Sequence, residues 1–388
     1  MKTVLLVNCR LIPELSGNYA DGNADILIQG ERIGAIIPTG REVSETVDAC
    51  YDCKGMTLLP GLHDIHTHLN YDYYNGVIRL NDFKLMLRSC LSARRFLDYG
   101  ITTIRDMGSP KRVSTHVRDA INSGLFLGPR IVSGGMILCP QNRDVPSDPN
   151  CFLRYFSGVD DIIRKVREEI GGGADYVKLY ASGEPPEILP EEMEAAVRLA
   201  HLRGKKVAVH AHDPSAIHMC VEMGADTIEH GSFIRAEDIE ALKDEHAYLV
   251  PTLSILSPEV RMSGVTSEQK AVMLKPLLDA NAKNITAAYQ AGLKLGFGTD
   301  TDIVDLEGHT GLEFKMRKKY CGMSNIDMLL QATKYSAQIC GLENVTGEIK
   351  PGLAADLILM NGNPDEDISV MYEKPQLVFV RGQHYLPQ

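Results

Sequence analysis

The sequence predicts an α/β fold: a TIM-like (β/α)8 barrel with a small β-sandwich domain formed from both chain ends. Three observations lead to this prediction. Eight short apolar runs recur between Thr57 and Asp302, separated by helical stretches. The runs lack polar alternation, as expected for strands covered on both faces. Short β-rich segments flank the series. We therefore predict terminal segments at 1–56 and 345–388 around a barrel at 57–344.

The N-terminal segment is predicted to contain a hairpin, because DILIQGERIGAI has two apolar runs around the turn-like pair Gly30-Glu31. The barrel strands follow in order. Their runs are TLLPGLHDIHTHL, ITTIRDMGS, PRIVSGG, ADYVKLYASG, KKVAVHAHD, ADTIEHGS, AYLVPTLS and LKLGFGTDTD.

The segments between these runs carry helix signals. In LPEEMEAAVRLAHLRG, Pro190 stands in the first turn and Gly204 ends the helix. After the barrel, TGEIKPGLAADLILMNGNP and KPQLVFVRGQHYL predict strands that return to the N-terminal sheet. The stretch 136–158 is rich in Pro, Asn and Asp, and we expect an irregular loop there, above the barrel mouth.

Composition narrows the functional class. The 388 residues have a formal net charge of −11, which disfavours sequence-independent nucleic-acid binding. No apolar run approaches the roughly 18–20 residues of a membrane span, and a secretory leader is not evident. The nine cysteines are expected to be reduced and mostly buried. We expect a cytoplasmic homo-oligomer that acts on a small molecule and has no nucleic-acid or membrane partner.

The predicted strand ends carry metal-binding residue types. Side chains two apart on a strand point to the same face, so the imidazoles of a His-x-His pair can bind one metal ion at about 2.0–2.1 Å. Nitrogen and oxygen donors without thiolates favour zinc, with manganese, iron or cobalt as alternatives. The candidates at strand ends are His66, His68, Lys178, His210, His212, His230 and Asp300.

Lys178 and Asp300 each have a plain and a chemical interpretation. A buried lysine is often ion-paired, but burial also favours a neutral amine, which can take up carbon dioxide and bridge two metal ions as a carbamate. Asp300 could cap a helix, or it could bind metal and accept the proton of the attacking water. Asp302, two residues later, is a candidate for substrate contact.

Taken together, these motifs resemble the amidohydrolase superfamily of metal-dependent hydrolases, and within it the imidazolonepropionase-like members and the Xaa-Pro and Xaa-Arg dipeptidases. The matching segments are LLPGLHDIHTHL, YVKLY, VAVHAH, IEHG and GFGTD, with flanks NADILIQGERIGAI and GEIKPGLAADLILM. The resemblance implies a binuclear centre. Its first metal would be held by His66, His68 and Asp300, its second by His210 and His230, with carbamylated Lys178 and a hydroxide as bridges.

The resemblance also implies a function. We expect hydrolysis of an amide bond in a dipeptide or N-acyl amino acid, with Asp300 as general base and acid and with Tyr180, His212 and Asp302 near the substrate. A histidine at position 212 departs from the tyrosine of several dipeptidase relatives. A deaminase or cyclic-amide hydrolase of the same superfamily is the first alternative, and a non-catalytic barrel scaffold is a remote one.

Overall fold

The computed structural model of the protein describes residues 2–19, 22–69, 81–141, 151–244, 247–260, 264–302 and 309–386. For residues 301, 302, 309 and 310 it describes the backbone only. The predicted loop at 136–158 therefore lies partly outside the described residues.

Strands occur from one end of the described chain to the other. They are β1 (Thr3–Arg10), β2 (Asn23–Gln29), β3 (Arg32–Pro38), β4 (Ala49–Asp52), β5 (Thr57–Pro60), β6 (Leu62–His68), β7 (Ile101–Asp106), β8 (Arg130–Ser133), β9 (Ile137–Pro140), β10 (Leu153–Phe156), β11 (Val177–Tyr180), β12 (Val207–Ala211), β13 (Thr227–His230), β14 (Tyr248–Val250), β15 (Thr301–Asp302), β16 (Leu357–Met360), β17 (Leu377–Val380) and β18 (Gln383–Tyr385).

Helices alternate with the strands in the central part of the chain. They are α1 (Asp82–Leu97), α2 (Val113–Asn122), α3 (Val159–Gly171), α4 (Pro190–Leu202), α5 (Pro214–Glu222), α6 (Ala236–Asp244), α7 (Ser267–Gln290), α8 (His309–Cys321), α9 (Asn325–Leu330) and α10 (Ser336–Ile339). The predicted start of α4 at Pro190 is confirmed. None of the described helices has both the length and the apolar character needed to cross a bilayer.

The two chain ends share one sheet, as predicted. Among the described strands its order is β18-β17-β16-β5-β1-β2-β3, with β4 paired to β1. The antiparallel pairing of β2 with β3 confirms the predicted hairpin. Strand β5, which the sequence analysis joined to the first barrel run, pairs with β16 instead. The predicted limits of the two domains and the β-sandwich stay predictions.

Two parallel sheets carry the predicted metal-ligand strands. One has the order β15-β6-β7-β8 and the other β10-β9-β11-β12-β13-β14. The eighth apolar run lies between them: the Gly296 N–H donates to the Leu249 carbonyl at 2.9 Å, and the Phe297 carbonyl accepts from the Ile65 N–H at 2.9 Å. The fold is therefore α/β with parallel strands, and closure into an eight-stranded barrel stays a prediction.

The stretch 136–158 differs from the irregular loop expected. Its described residues include β9 and β10, which pair in parallel from Ile137↔Leu153 to Pro140↔Phe156. These short segments form strands because each pairs with the other. The many Pro and Asn residues around them mask this tendency in the sequence. The expected position over the active-site cavity is consistent with the lining role of Ile137 and Leu153.

The cysteines are free thiols, as expected, with five of the nine buried. Cys50 and Cys53 have a Cys-x-x-Cys spacing. The structure leaves Cys50 exposed and buries Cys53, in keeping with their position at an edge strand and in the terminal hydrophobic cluster.

Candidate metal centre and active site

The ends of five strand segments converge on one cavity of about 420 Å³. Parallel strands bring their C-terminal ends to the same edge, so residues distant in the chain meet there. Every metal ligand expected from the sequence lies on the cavity wall: His66, His68, Lys178, His210, His230 and Asp300.

The first group of ligands surrounds Asp300. The Nε2 atoms of His66 and His68 each lie 3.5 Å from Asp300 Oδ1. His66, His230 and Asp300 also offer ligand atoms within 4.8 Å of one another. Asp300 has φ 55°, and its N–H donates to the His66 carbonyl at 2.7 Å. This local backbone conformation places the carboxylate beside the two imidazoles.

The second group consists of three histidines. His210, His212 and His230 offer ligand atoms within 4.8 Å of one another. His230 Nδ1 lies 2.7 Å from the Thr252 hydroxyl, and His212 Nδ1 lies 2.8 Å from the Ser232 hydroxyl. Since Nδ1 is engaged in each ring, Nε2 is the nitrogen left for a metal or substrate. The geometry thus places His212, which was predicted as a substrate contact, among the candidate metal ligands as well.

Lys178 lies among these ligands and is 2 % exposed. Its Nζ has no hydrogen-bond partner among the described residues. A buried ammonium group is normally paired, because leaving it without a partner is costly. Burial lowers the pKa of Lys178 to about 8, which increases the share of the neutral amine. The Lys178 amine is therefore placed to acquire a further partner in the cavity.

Burial also shifts the other groups toward their neutral forms. It lowers the pKa of His66 to about 3, although Glu229 acts in the opposite direction, and it lowers the pKa of His68 to about 4. It raises the pKa of Asp300 to about 7, which nearby Lys178 opposes. Neutral imidazoles are the form that binds metal ions.

A buried glutamate orients His66. Glu229 Oε2 accepts from His66 Nδ1 at 2.7 Å, and Glu229 Oε1 accepts from Arg105 Nη2 at 2.7 Å and from the Thr227 hydroxyl at 2.5 Å. Burial raises the pKa of Glu229, but Arg105 and His66 outweigh it and hold that pKa at about 2. The carboxylate therefore stays ionised and fixes the ring so that Nε2 faces the cavity.

The sequence analysis missed this role of Glu229. A signal was present, because a charged residue in the middle of the apolar run ADTIEHGS needs a buried partner. Arg105 donates to Glu229 and to the Ile65 carbonyl, so it links β7 to β13 and to β6. Thr252 and Ser232 gave no recognisable signal.

The structure describes the side chains of two of the three predicted substrate contacts, Tyr180 and His212. The Tyr180 ring stacks on His210 with centroids 4.4 Å apart, and both line the cavity with His212. Asp302 pairs through its backbone with His68, but its side chain lies outside the described residues. The structure therefore brings two of the three predicted contacts to the cavity.

Comparison with known proteins identifies the family. The sequence profile of the Amidohydrolase family matches residues 57–384. The chain belongs to this family. Ochratoxinase of Aspergillus niger is 27% identical over 364 residues, covering 83% of this chain and 73% of that protein. Imidazolonepropionase of Pseudoalteromonas atlantica is 22% identical over 403 residues, covering 93% and 92%.

A solved structure supports the assignment. The crystal structure of a Xaa-Pro dipeptidase with methionine bound in its active site has a TM-score of 0.85 and 27% identity, covering 99% of this chain and 100% of that one. The predicted resemblance to amidohydrolases is thus confirmed. In this amidohydrolase the two candidate ligand groups share His230.

Proposed function

We propose that this amidohydrolase cleaves the amide C–N bond of a small molecule, a dipeptide or an N-acyl amino acid, at a centre of two divalent metal ions. The observation that carries the proposal is the buried amine of Lys178, which has no hydrogen-bond partner among the described residues and lies in a cavity lined by two groups of candidate metal ligands. The names of two relatives, an ochratoxinase and a Xaa-Pro dipeptidase, support a small-molecule substrate.

The residues present fit such a centre. His66, His68 and Asp300 would hold one ion, and His210 and His230 the other. Lys178 would contribute as a carbamate, because its neutral amine can add carbon dioxide with release of a proton and so become an anionic oxygen donor for the metal ions. The imidazole and carboxylate donors suit zinc. When bound, the metal ions would supply a nucleophile at neutral pH and polarise the scissile carbonyl.

The side chains of the protein would do the remaining work. Asp300, one-fifth exposed to the cavity, would accept the proton of the attacking water and deliver it to the leaving amine. Tyr180 and His212 would orient the substrate by hydrogen bonds. The largely apolar lining of the cavity would strengthen these electrostatic contacts.

The test combines metal content with a substrate screen. Protein grown with zinc and bicarbonate should contain close to two metal ions per chain and hydrolyse members of a library of dipeptides and N-acyl amino acids. Lys178→Ala should bind about one ion fewer and lose activity by orders of magnitude, with partial rescue by short carboxylic acids.

The matched control is Lys206→Ala. Lys206 is half-buried, and its Nζ donates to the Ile339 carbonyl at 2.8 Å, away from the cavity. This variant should keep the wild-type metal content and rate. One metal ion per chain with full activity, or wild-type behaviour of Lys178→Ala, would refute the shared-carbamate centre.

A further inference from the structure

One face of α7 forms a wall of the cavity. Lys270, Leu274, Leu277 and Asn281 all line it. Their spacing of four, three and four residues places them on a single helix face. Helix α7 is firmly started, because the Thr266 hydroxyl accepts from the Gln269 N–H and the Gln269 side chain accepts from the Thr266 N–H. This capping box fixes where the helix begins, one turn before Lys270.

Asn281 gives this wall a polar end. It is 1 % exposed, and its Oδ1 has no hydrogen-bond partner among the described residues. One turn further along, the Asn284 amide donates to the Ser232 carbonyl at 2.8 Å, and the Ser232 hydroxyl lies 2.8 Å from His212 Nδ1. Asn281 thus belongs to the side of the cavity that carries His212. A buried amide oxygen in that position calls for an N–H or O–H donor.

The opposite end and the middle of the wall have other properties. Lys270 Nζ donates to the carbonyls of Ile255 and Val260, at 3.0 and 2.8 Å, and so anchors the segment after β14 to the helix. Between the two polar ends, Leu274 and Leu277 present only apolar surface.

Apolar residues also line the cavity away from α7. They are Ile137, Phe152, Leu153, Ile255 and Leu256. Together with the two leucines of α7 they make an apolar compartment beside the polar ligand cluster. A compartment of this kind recovers free energy when it buries an apolar group.

We propose that this face of α7 selects the substrate. Leu274 and Leu277 receive a bulky apolar side chain of leucine or phenylalanine size, and Asn281 Oδ1 accepts a hydrogen bond from a substrate N–H. The substrate class is accordingly that of amides of bulky apolar amino acids that keep an N–H. The inference rests on the proposed amide hydrolysis and specifies the substrate of that same site.

The first measurement is the ratio of kcat/KM between N-acetyl-leucine and N-acetyl-alanine, repeated with the glycyl dipeptides. We expect a ratio of at least about tenfold, since apolar pockets discriminate to that extent. Leu277→Ala should reduce the ratio severalfold. Met273→Ala is the matched control, because Met273 is on the same helix and 49% exposed; it should keep the wild-type ratio.

The second measurement tests Asn281 with substrates that differ in one group. Glycyl-leucine has an amide N–H, and glycyl-N-methyl-leucine has a methyl group there. Asn281→Leu has a similar volume but lacks the acceptor. It should lower kcat/KM for glycyl-leucine by roughly threefold to tenfold, the value of one hydrogen bond, and leave the N-methyl substrate unchanged.

Binding separates this inference from the proposed function. Isothermal titration calorimetry of metal-free protein with N-acetyl-leucine and N-acetyl-alanine measures the affinity of the cavity for each compound without turnover. If the protein binds N-acetyl-leucine preferentially and Leu277→Ala removes that preference, the result supports the role of the α7 face in substrate selection. This holds even if no amide is hydrolysed and the proposed function fails. Two results would overturn substrate selection by the α7 face and leave the proposed amide hydrolysis intact. One is hydrolysis without preference for large side chains, and the other is an equal effect of Asn281→Leu on the N–H and the N-methyl substrates.

Discussion

Two buried arginine–glutamate pairs lie in different regions of the molecule. Arg105 and Glu229 join the strands β7 and β13 with a contact of 2.7 Å, and Arg317 and Glu313 lie within α8, also at 2.7 Å. All four side chains are at most 5 % exposed. Their chemistry is the same, but their second contacts differ.

The second contacts decide what each pair does. The carboxylate oxygen of Glu229 that does not contact Arg105 accepts from a ring nitrogen of His66, a candidate metal ligand. The corresponding oxygen of Glu313 accepts from the Ser254 N–H at 2.7 Å, and Arg317 donates to the Gly296 carbonyl at 2.9 Å. One pair thus positions a candidate metal ligand, and the other holds backbone segments. Burial and ion pairing alone therefore do not reveal a functional role.

We expect the largest effect on activity from Asp300, which belongs to neither pair and serves as the reference for both. Asp300→Asn keeps the size and one oxygen of the side chain but does not accept the proton. We expect kcat to fall by about 10²–10⁴-fold, with little change in unfolding free energy. Steady-state kinetics, metal analysis and urea unfolding measure these quantities. A near-normal rate with metal bound would exclude Asp300 as the base.

Glu229→Gln should produce the next largest effect. The amide still accepts a hydrogen bond but does not carry the charge that stabilises the His66 N–H, so we expect metal affinity and activity to fall by about 10–100-fold. Competition with a metal chelator gives the affinity. Unchanged affinity would mean that Glu229 serves only the strand pairing, as Glu313 serves the loops.

Glu313→Gln is the matched variant in the other pair. Removing its charge leaves Arg317 buried with an incomplete partner set, so we expect the unfolding free energy to fall by about 3 kcal/mol. Metal affinity should stay at the wild-type value when measured below the melting temperature. A loss of metal affinity equal to that of Glu229→Gln would remove the distinction between the two pairs.

The last effect depends on pH and concerns His63, a buried histidine on the same strand as His66. Its Nδ1 lies 3.1 Å from the Gly61 carbonyl, and burial lowers its pKa to about 4 from an ordinary value of 6.5. The unfolded chain thus binds more protons between these values, and the histidine destabilises the fold as the pH falls through this window.

His63→Gln removes that titration. Relative to the variant, the wild-type protein should lose up to roughly 3 kcal/mol of unfolding free energy between pH 6.5 and pH 4. Above pH 6.5 the difference should be constant. Urea unfolding of both proteins at several pH values provides the comparison, and a difference independent of pH would contradict the shifted pKa of His63.

Much of this architecture follows from local sequence. The apolar runs, the hairpin of β2 and β3 and the start of α4 at Pro190 are set by residue pattern and capping, which act over a few neighbours. The candidate ligands His66, His68, His210 and His230 could be proposed from the sequence because their motifs stand at predicted strand ends. β9 and β10 could not, since their pairing depends on an element outside each run.

The sequence by itself determined the parallel α/β arrangement, the sheet shared by the two chain ends and the identities of the metal-ligand candidates. The tertiary structure alone decided which groups complete that site. Glu229 reaches His66 across 163 residues, and Asn281 joins the cavity through a helix face. The physical reason is that a buried polar group acquires its role from its partners, and those partners are brought together only when distant segments pack.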